Sequence, residues 1–373
     1  MTGTHVVTGA TGLVGGALVI ELLRRTDARI VCPTRAHDSE PQRRLSEALR
    51  AAARGYGHGD SLDGQIEARC LATPFDLGAP RCGVDPGLVP GGAEQFWHCA
   101  ADLSYEDKYW ESLQRTNIAG TGNALDLARA LGCETYNQVS TAYVAGRRTG
   151  ILMEEPADEC DANNRYEQSK TCGEALVAAA DLRVRILRPS IVIGHSVTKH
   201  VAGGLSGAYS VQDRLARLQR RLARAGTTVD LRVRLRADPT VPINFVPVDL
   251  VVADAVSLGL TDATGIFHLT HPTPLPLGSN LDLICELVGL EPPQYCLDGT
   301  AFTGIDRLIE RQMDFYQSYW TGTKVFDQSR LHAAVPTPAL TTWTLDTADL
   351  TEFYLWHLRH LGHPAREIDL ASA

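Results

Sequence analysis

Residues 8–15 read TGATGLVG, and they close THVVT (4–8), a short run rich in β-branched residues. Gly9, Gly12 and Gly15 stand three apart, and a helical pattern, GGALVIELLRRT, begins at once. A second β-rich run, ARIVCP, starts at Ala28. Strand, glycine turn, helix and strand within about 30 residues make a βαβ unit. In such a turn Gly9 permits the tight bend, Gly12 lets the backbone approach a diphosphate, and Gly15 lets the helix pack close to the sheet. The amides that open the helix, at Thr11, Leu13 and Val14, would face the phosphate charge. The spacing is Gly-x-x-Gly-x-x-Gly rather than Gly-x-Gly-x-x-Gly, so its place between a first strand and a helix carries the reading.

Working outward, further apolar strand candidates are IEARCLATPF (66–75), EQFWHCA (94–100), TYNQVSTAYVA (135–145), LRVRILRP (182–189) and GIFHLT (265–270), with helical stretches between most of them. That alternation predicts an α/β fold, a Rossmann-type doubly wound parallel sheet with helices on both faces. The end of the second strand selects the dinucleotide: an acid there would hold the ribose hydroxyl of NAD, an arginine the 2′-phosphate of NADP. The chain reads VCPTRAHDS, with Arg35 at the strand end, Thr34 as an added hydroxyl donor and no acid from Ala28 to His37. NADP is the expected cofactor. After Gly194 the pattern changes, through HVAGGLSGAYS into an arginine-rich helix at 211–225. NFVPVDLVVADAVSL (244–258) then looks like a return to the first domain. The expected division is a dinucleotide-binding domain at 1–195, rejoined at 241–270, and a smaller substrate-binding or lid domain at 196–240 and 271–373.

Composition narrows the class. With 44% hydrophobic and 21% charged residues the chain reads as a soluble globular protein, and no apolar run approaches the ~18–20 residues that cross a bilayer. MTGTHVVTGATG lacks the basic-then-apolar order of a secretory signal. The nine cysteines are scattered and form no Cys-x-x-Cys pair, which predicts a reducing cytoplasm without disulfides or structural zinc. His357, His360 and His363 recur without a carboxylate or Cys cluster, and are read as an exposed helix end rather than a metal site. A net charge of −9 argues against general nucleic-acid binding. Locally the sign reverses: between Val211 and Arg236 eight arginines face only Asp213 and Asp230. Arg214, Arg217, Arg221 and Arg224 follow a 3-4-3 spacing, which predicts one exposed basic stripe. The aromatic cluster Phe315, Tyr316, Tyr319 and Trp320 reads first as core packing, with an acyl pocket as the alternative.

NQVSTAYVAG ends a strand candidate in small hydroxyl residues, and NRYEQSK (164–170) follows about twenty residues later. The i, i+4 spacing puts Tyr166 and Lys170 on one helical face. Taken alone the pair is common. Beside a dinucleotide cleft, with a hydroxyl at the end of a neighbouring strand, three donors could converge on one carbonyl.

TGATGLVG, HCAA (98–101), NIAGT (117–121), VSTAYVAG (139–146) and YEQSK together resemble the extended short-chain dehydrogenase/reductases. VAGRRTGILMEE, NRYEQSKTCGEAL, LRPSIVIG and PINFVPVDLV resemble more narrowly the thioester-reductase branch. That branch includes the terminal reductase domains of carboxylic acid reductases and of peptide and polyketide synthetases, and fatty acyl-CoA reductases. The resemblance covers roughly residues 4–270. It implies that Thr141, with Ser140 as the alternative, Tyr166 and Lys170 are catalytic, and that Asn117 supports the lysine unless it is a packing amide. It also implies that His98, Ala100 and Ala101 border the cofactor, Asp76 and Leu77 lie near the adenine, and Pro189 joins the cofactor site. A nearby ammonium would favour the tyrosinate. The implied reaction is NADPH-dependent reduction of an acyl thioester to an aldehyde, with further reduction to an alcohol left open. The acyl group would arrive in trans on a carrier protein or coenzyme A. Other readings are a carbonyl reductase of a small metabolite, a sugar-nucleotide epimerase or dehydratase on the same extended fold, and a non-catalytic NADP sensor.

Overall fold

Short β-branched runs and the helices between them build one parallel sheet in the computed structural model, which describes residues 3–35, 40–89, 91–204, 207–224 and 232–363. Its strands are β1 (Thr4–Thr8), β2 (Arg29–Thr34), β3 (Cys70–Pro74), β4 (Gln95–His98), β5 (Thr135–Val139), β6 (Arg183–Pro189) and β7 (Gly265–Leu269). They lie in the order β7-β6-β5-β4-β1-β2-β3, every neighbouring pair parallel. The chain begins in mid-sheet, winds outward to β3 and returns to the other side of β1 as β4. That reversal makes the carboxyl ends of β1 and β4 the topological switch point of the sheet.

The longer helices are α1 (Leu13–Arg25), α2 (Pro41–Gly55), α3 (Gly120–Ala130), α4 (Arg165–Ala178), α5 (Ala208–Arg224), α6 (Val248–Gly259), α7 (Leu277–Val288), α8 (Gly304–Gln317) and α9 (Thr347–His360). Successive side chains of a strand point to opposite faces, so both faces of β1 need cover. Val7 packs with Leu18 and Leu22 of α1, Leu49 of α2 and Val252 of α6. Val6 packs on the other face with Phe96, Tyr136, Leu125 of α3 and Val177 of α4. A further cluster joins Leu215 of α5, Ile284 of α7, Met313 of α8 and Phe353 of α9. Leu331, Val335 and Leu340, late in the chain, pack back against the α1 face of the sheet.

Two local readings change. IEARCLATPF is a helix over Asp63–Arg69 before it becomes β3. The reason is tertiary: from the helix end, Arg69 donates to the carbonyls of Leu23, Thr26 and Ala28, closing the α1–β2 loop. His357 is buried, its ring 4.8 Å from that of Tyr209, because α9 turns Leu350, Phe353, Tyr354, His357 and Leu358 inward at helical spacing. Among the described residues no group of three His, Cys, Asp or Glu could hold a metal, and no helix is long and apolar enough to cross a membrane. The nine cysteines are free thiols.

Candidate active site

The glycine turn is shaped by close backbone contacts. Gly9 has φ +72°, and a Cβ there would stand 2.8 Å from Ala100 N. A Cβ on Gly15 would stand 2.2 Å from the Gly9 carbonyl oxygen. At Gly12 that same oxygen, 3.3 Å away, is all that a Cβ would meet within 4 Å among the described residues, while Gly203 packs against the backbone of Gly12 and Leu13. The first turn of α1, at Leu13 and Val14, carries no acid, and Thr11 precedes it. A diphosphate fits this cradle.

Thr8, at the end of β1, draws the β4 loop onto the turn. Its hydroxyl oxygen accepts from Cys99 N and Ala100 N, both at 3.2 Å, and shares a hydrogen bond with His98 Nδ1 at 2.8 Å. Burial, helped by the Lys170 charge, lowers the His98 pKa to about 3, so the imidazole is neutral. Pro189 borders a small apolar void with Val14 and Val139, joining the ends of β5 and β6 to α1. Beyond β3, Asp76 Oδ1 accepts from Gly78 N at 2.9 Å. Leu77 is buried, with its carbonyl bonded to Asn123 Nδ2. Arg35 is exposed, and its carbonyl accepts from Arg44 Nη1 at 2.9 Å. The Thr34 hydroxyl is buried and donates to Cys32 O, so it is not the free donor expected.

Asn164 caps α4, its Oδ1 accepting from Glu167 N at 3.0 Å, and the helix then carries Tyr166 and Lys170 one turn apart. Lys170 Nζ donates to Val139 O at 2.8 Å, the last carbonyl of β5, one residue before Ser140–Thr141. Thr141 Oγ1 accepts from Tyr143 N at 3.2 Å, which leaves its hydroxyl proton free to donate. The Ser140 hydroxyl is buried with no partner among the described residues. Asn117 sits in a π-helical turn, Gln114–Ala119, a distortion that often marks functional sites. Its amide donates to Asp102 O and Ser169 Oγ, and its Oδ1 accepts from Asp102 N. Asn117 therefore grips α4 through Ser169, the neighbour of Lys170, rather than through the lysine.

Burial dominates the electrostatics. It pulls the Lys170 ammonium down to about 8, against the opposing pull of Glu174 and Cys99. It pushes the Tyr166 phenol above its ordinary range, and the Glu167 carboxylate adds to that. No pull towards tyrosinate offsets these two effects, and Tyr166 keeps its proton at neutral pH.

The profile of the male sterility protein family, an NAD-binding family, matches residues 7–255, which spans the glycine turn, Thr141, Tyr166 and Lys170. The chain belongs to that family. Among this family member's relatives, an aldehyde reductase of Aspergillus flavus, lnaA, is 28% identical over 308 residues, covering 77% of this chain and 27% of that protein. A carboxylic acid reductase of Mycobacterium marinum is 26% identical over 303 residues, covering 72% of this chain and 24% of its own length. The chain thus spans a minor part of these relatives. Of solved structures, the terminal R domain from the myxalamid PKS-NRPS pathway superposes with a TM-score of 0.74 at 25% identity, over 97% of this chain and 91% of that one. A UDP-glucuronic acid 4-epimerase from Bacillus cereus, at 16% identity and a TM-score of 0.63, shares the fold.

Proposed function

We propose that the chain reduces an acyl thioester to an aldehyde with NADPH. The observation that carries this reading is the bond from Lys170, on the helix that also carries Tyr166, to the last carbonyl of β5, one residue before Ser140–Thr141. The relatives named as an aldehyde reductase, a carboxylic acid reductase and a synthetase terminal domain support the substrate class.

Gly9, Gly12 and Gly15 with the amides of Leu13 and Val14 would hold the diphosphate, and Lys170 the nicotinamide ribose. When bound, NADPH supplies a hydride for the acyl carbon. The chain's own part concerns the oxygen. Thr141 Oγ and Tyr166 Oη would donate to the carbonyl oxygen, stabilise its growing charge, and Tyr166 would hand over its proton. Loss of the thiol then leaves the aldehyde. The same three groups would serve a second reduction to the alcohol. Arg35, exposed at the end of β2 with the Arg44 guanidinium bonded to its carbonyl, supports NADP, an arginine there being suited to a 2′-phosphate.

The thioester would come on an acidic carrier protein. Between α5 and α8 lies a groove of about 520 Å³ lined by Arg214, Arg217, Arg221, Ile305 and Leu308. The predicted stripe is not uniform. Arg214 turns inward to Tyr105 Oη at 2.9 Å, Arg217 pairs with Asp213, and Arg221 and Arg224 are exposed, while Asp230 lies outside the described residues. The free, mostly buried cysteines suit a reducing cytoplasm.

The test is NADPH oxidation by the purified protein with acyl-pantetheine and acyl-CoA thioesters, the matching aldehydes and simple ketones. Thioester-dependent oxidation with release of free thiol is expected. Turnover of carbonyls alone would replace this reading with a metabolite reductase. Tyr166→Phe should cut turnover about 100-fold or more while NADPH binding persists.

A further inference from the structure

Tyr319, expected from its sequence setting to be core packing, reaches the catalytic helix. Its hydroxyl accepts from Asn164 Nδ2 at 3.0 Å and donates to Glu167 Oε1 at 2.5 Å. Asn164 is the residue that caps α4, and Glu167 follows Tyr166 directly. Glu167 is fully buried, and its other oxygen accepts from Asn163 N at 2.7 Å. Asn164, Glu167 and Tyr319 therefore close a ring around the turn that carries Tyr166. The Tyr319 ring also meets Tyr143 edge-on at 4.9 Å, and Tyr143 N is bonded to Thr141 Oγ1. One side chain thus touches both arms of the constellation.

On its far side Tyr319 packs against Phe315 at 5.3 Å, and Phe315 stacks on Tyr105 at 4.0 Å. Tyr105 accepts from Arg214 of the basic groove. A buried carboxylate beside a proton donor is costly unless it is held, and a core built only for stability would place an apolar residue there. The groups facing Glu167 are Tyr319, Tyr143, Tyr166 and the buried Lys324, whose charge offsets part of the burial.

We propose that Tyr319 and Glu167 are positioning residues, through which the segment after α8 fixes the orientation of Tyr166 towards the substrate oxygen. The proposal rests on the thioester-reductase reading. The alternative role is plain packing, which would change stability and leave the chemistry alone.

The experiment is steady-state kinetics of the full chain with NADPH and the best acyl-pantetheine substrate, over a range of pH, for wild type, Tyr319→Phe and Glu167→Gln. Tyr319→Phe keeps the ring and removes both bonds. It should lower kcat about tenfold, within the range that small misplacements of a reacting group produce, with KM for thioester and NADPH within about twofold. Glu167→Gln keeps an acceptor for Tyr319 but removes the negative neighbour of Tyr166. It should lower kcat, by less than Tyr319→Phe does, and move the alkaline limb of the profile to lower pH, since a carboxylate beside a phenol favours its protonated form. If Tyr319→Phe fails to fold, the shifted limb of Glu167→Gln decides. Unchanged kcat and an unmoved limb, or a raised KM at constant kcat, would overturn the proposal. A wild type that reduces carbonyls but no thioester defeats the substrate reading alone, and the same comparison is then made with the carbonyl. A wild type inert to all of them defeats both.

Discussion

Lys170 is held in a place its charge does not favour. Burial lowers its pKa from the ordinary 10.5 to about 8, so between those values the unfolded chain binds a proton that the folded chain has lost. Stability contributed by this position therefore rises as pH climbs from about 8 towards 10.5, and the full penalty, up to about 3 kcal/mol, applies below that window. Lys170→Met should melt higher than wild type at pH 7, lose turnover, and show a shrinking advantage above pH 8 in thermal denaturation. Arg35 makes a different expectation. Arg35→Ala should raise KM for NADPH about tenfold and leave NADH unchanged, the scale of removing one charge-assisted hydrogen bond at an exposed site. The types and spacing of Thr141, Tyr166, Lys170 and Arg35 were legible because each is local and carries its chemistry in its side chain. The direction of the Tyr166 shift was not, since burial is summed over segments far apart in the chain. Nor did Thr34 advertise that its hydroxyl is spent on Cys32 O, or Asn117 that Ser169 is its partner.

At the level of elements, the β1–α1 turn has the least room. The Cβ of Gly15→Ala would lie 2.2 Å from a backbone oxygen, which cannot rotate away. The helix must slide outward, at a cost of roughly 1–3 kcal/mol, and the amides at its start leave the diphosphate position. The expected outcome is a lower urea midpoint together with weaker NADPH binding by fluorescence titration. Gly12→Ala meets that oxygen at 3.3 Å and should keep wild-type stability while weakening NADPH. A Gly15→Ala variant as stable as wild type would mean the turn is looser than its contacts imply. This turn was readable because three glycines between a strand and a helix leave few alternatives. The helix before β3 was not, because Arg69 forms it by reaching carbonyls some forty residues earlier. The π-helical turn at Asn117 was not legible either, since the phase shift of one inserted residue is hidden in a stretch as short as Gln114–Ala119.

Across the whole molecule, a net −9 chain gathers five arginines, Arg214, Arg217, Arg220, Arg221 and Arg224, on one helix beside α8. Such a surface raises encounter rates with an acidic partner more than it tightens the bound state, and the effect fades as salt screens it. Arg217 and Arg221 are the groove arginines most open to solvent, and Arg214 is tied inward to Tyr105. The double substitution Arg217→Glu, Arg221→Glu should therefore lower kcat/KM for a carrier-bound thioester about tenfold at low salt, with the gap to wild type closing at high salt. The same acyl group on free pantetheine, too small to span the groove, should lose far less. Equal losses on both substrates would move the arginines from docking to the acyl path itself. Equal activity on both would leave α5 as a solvated face of the second core, whose buried side, Tyr209, Val211 and Leu215, is already accounted for by packing on α7 and α9.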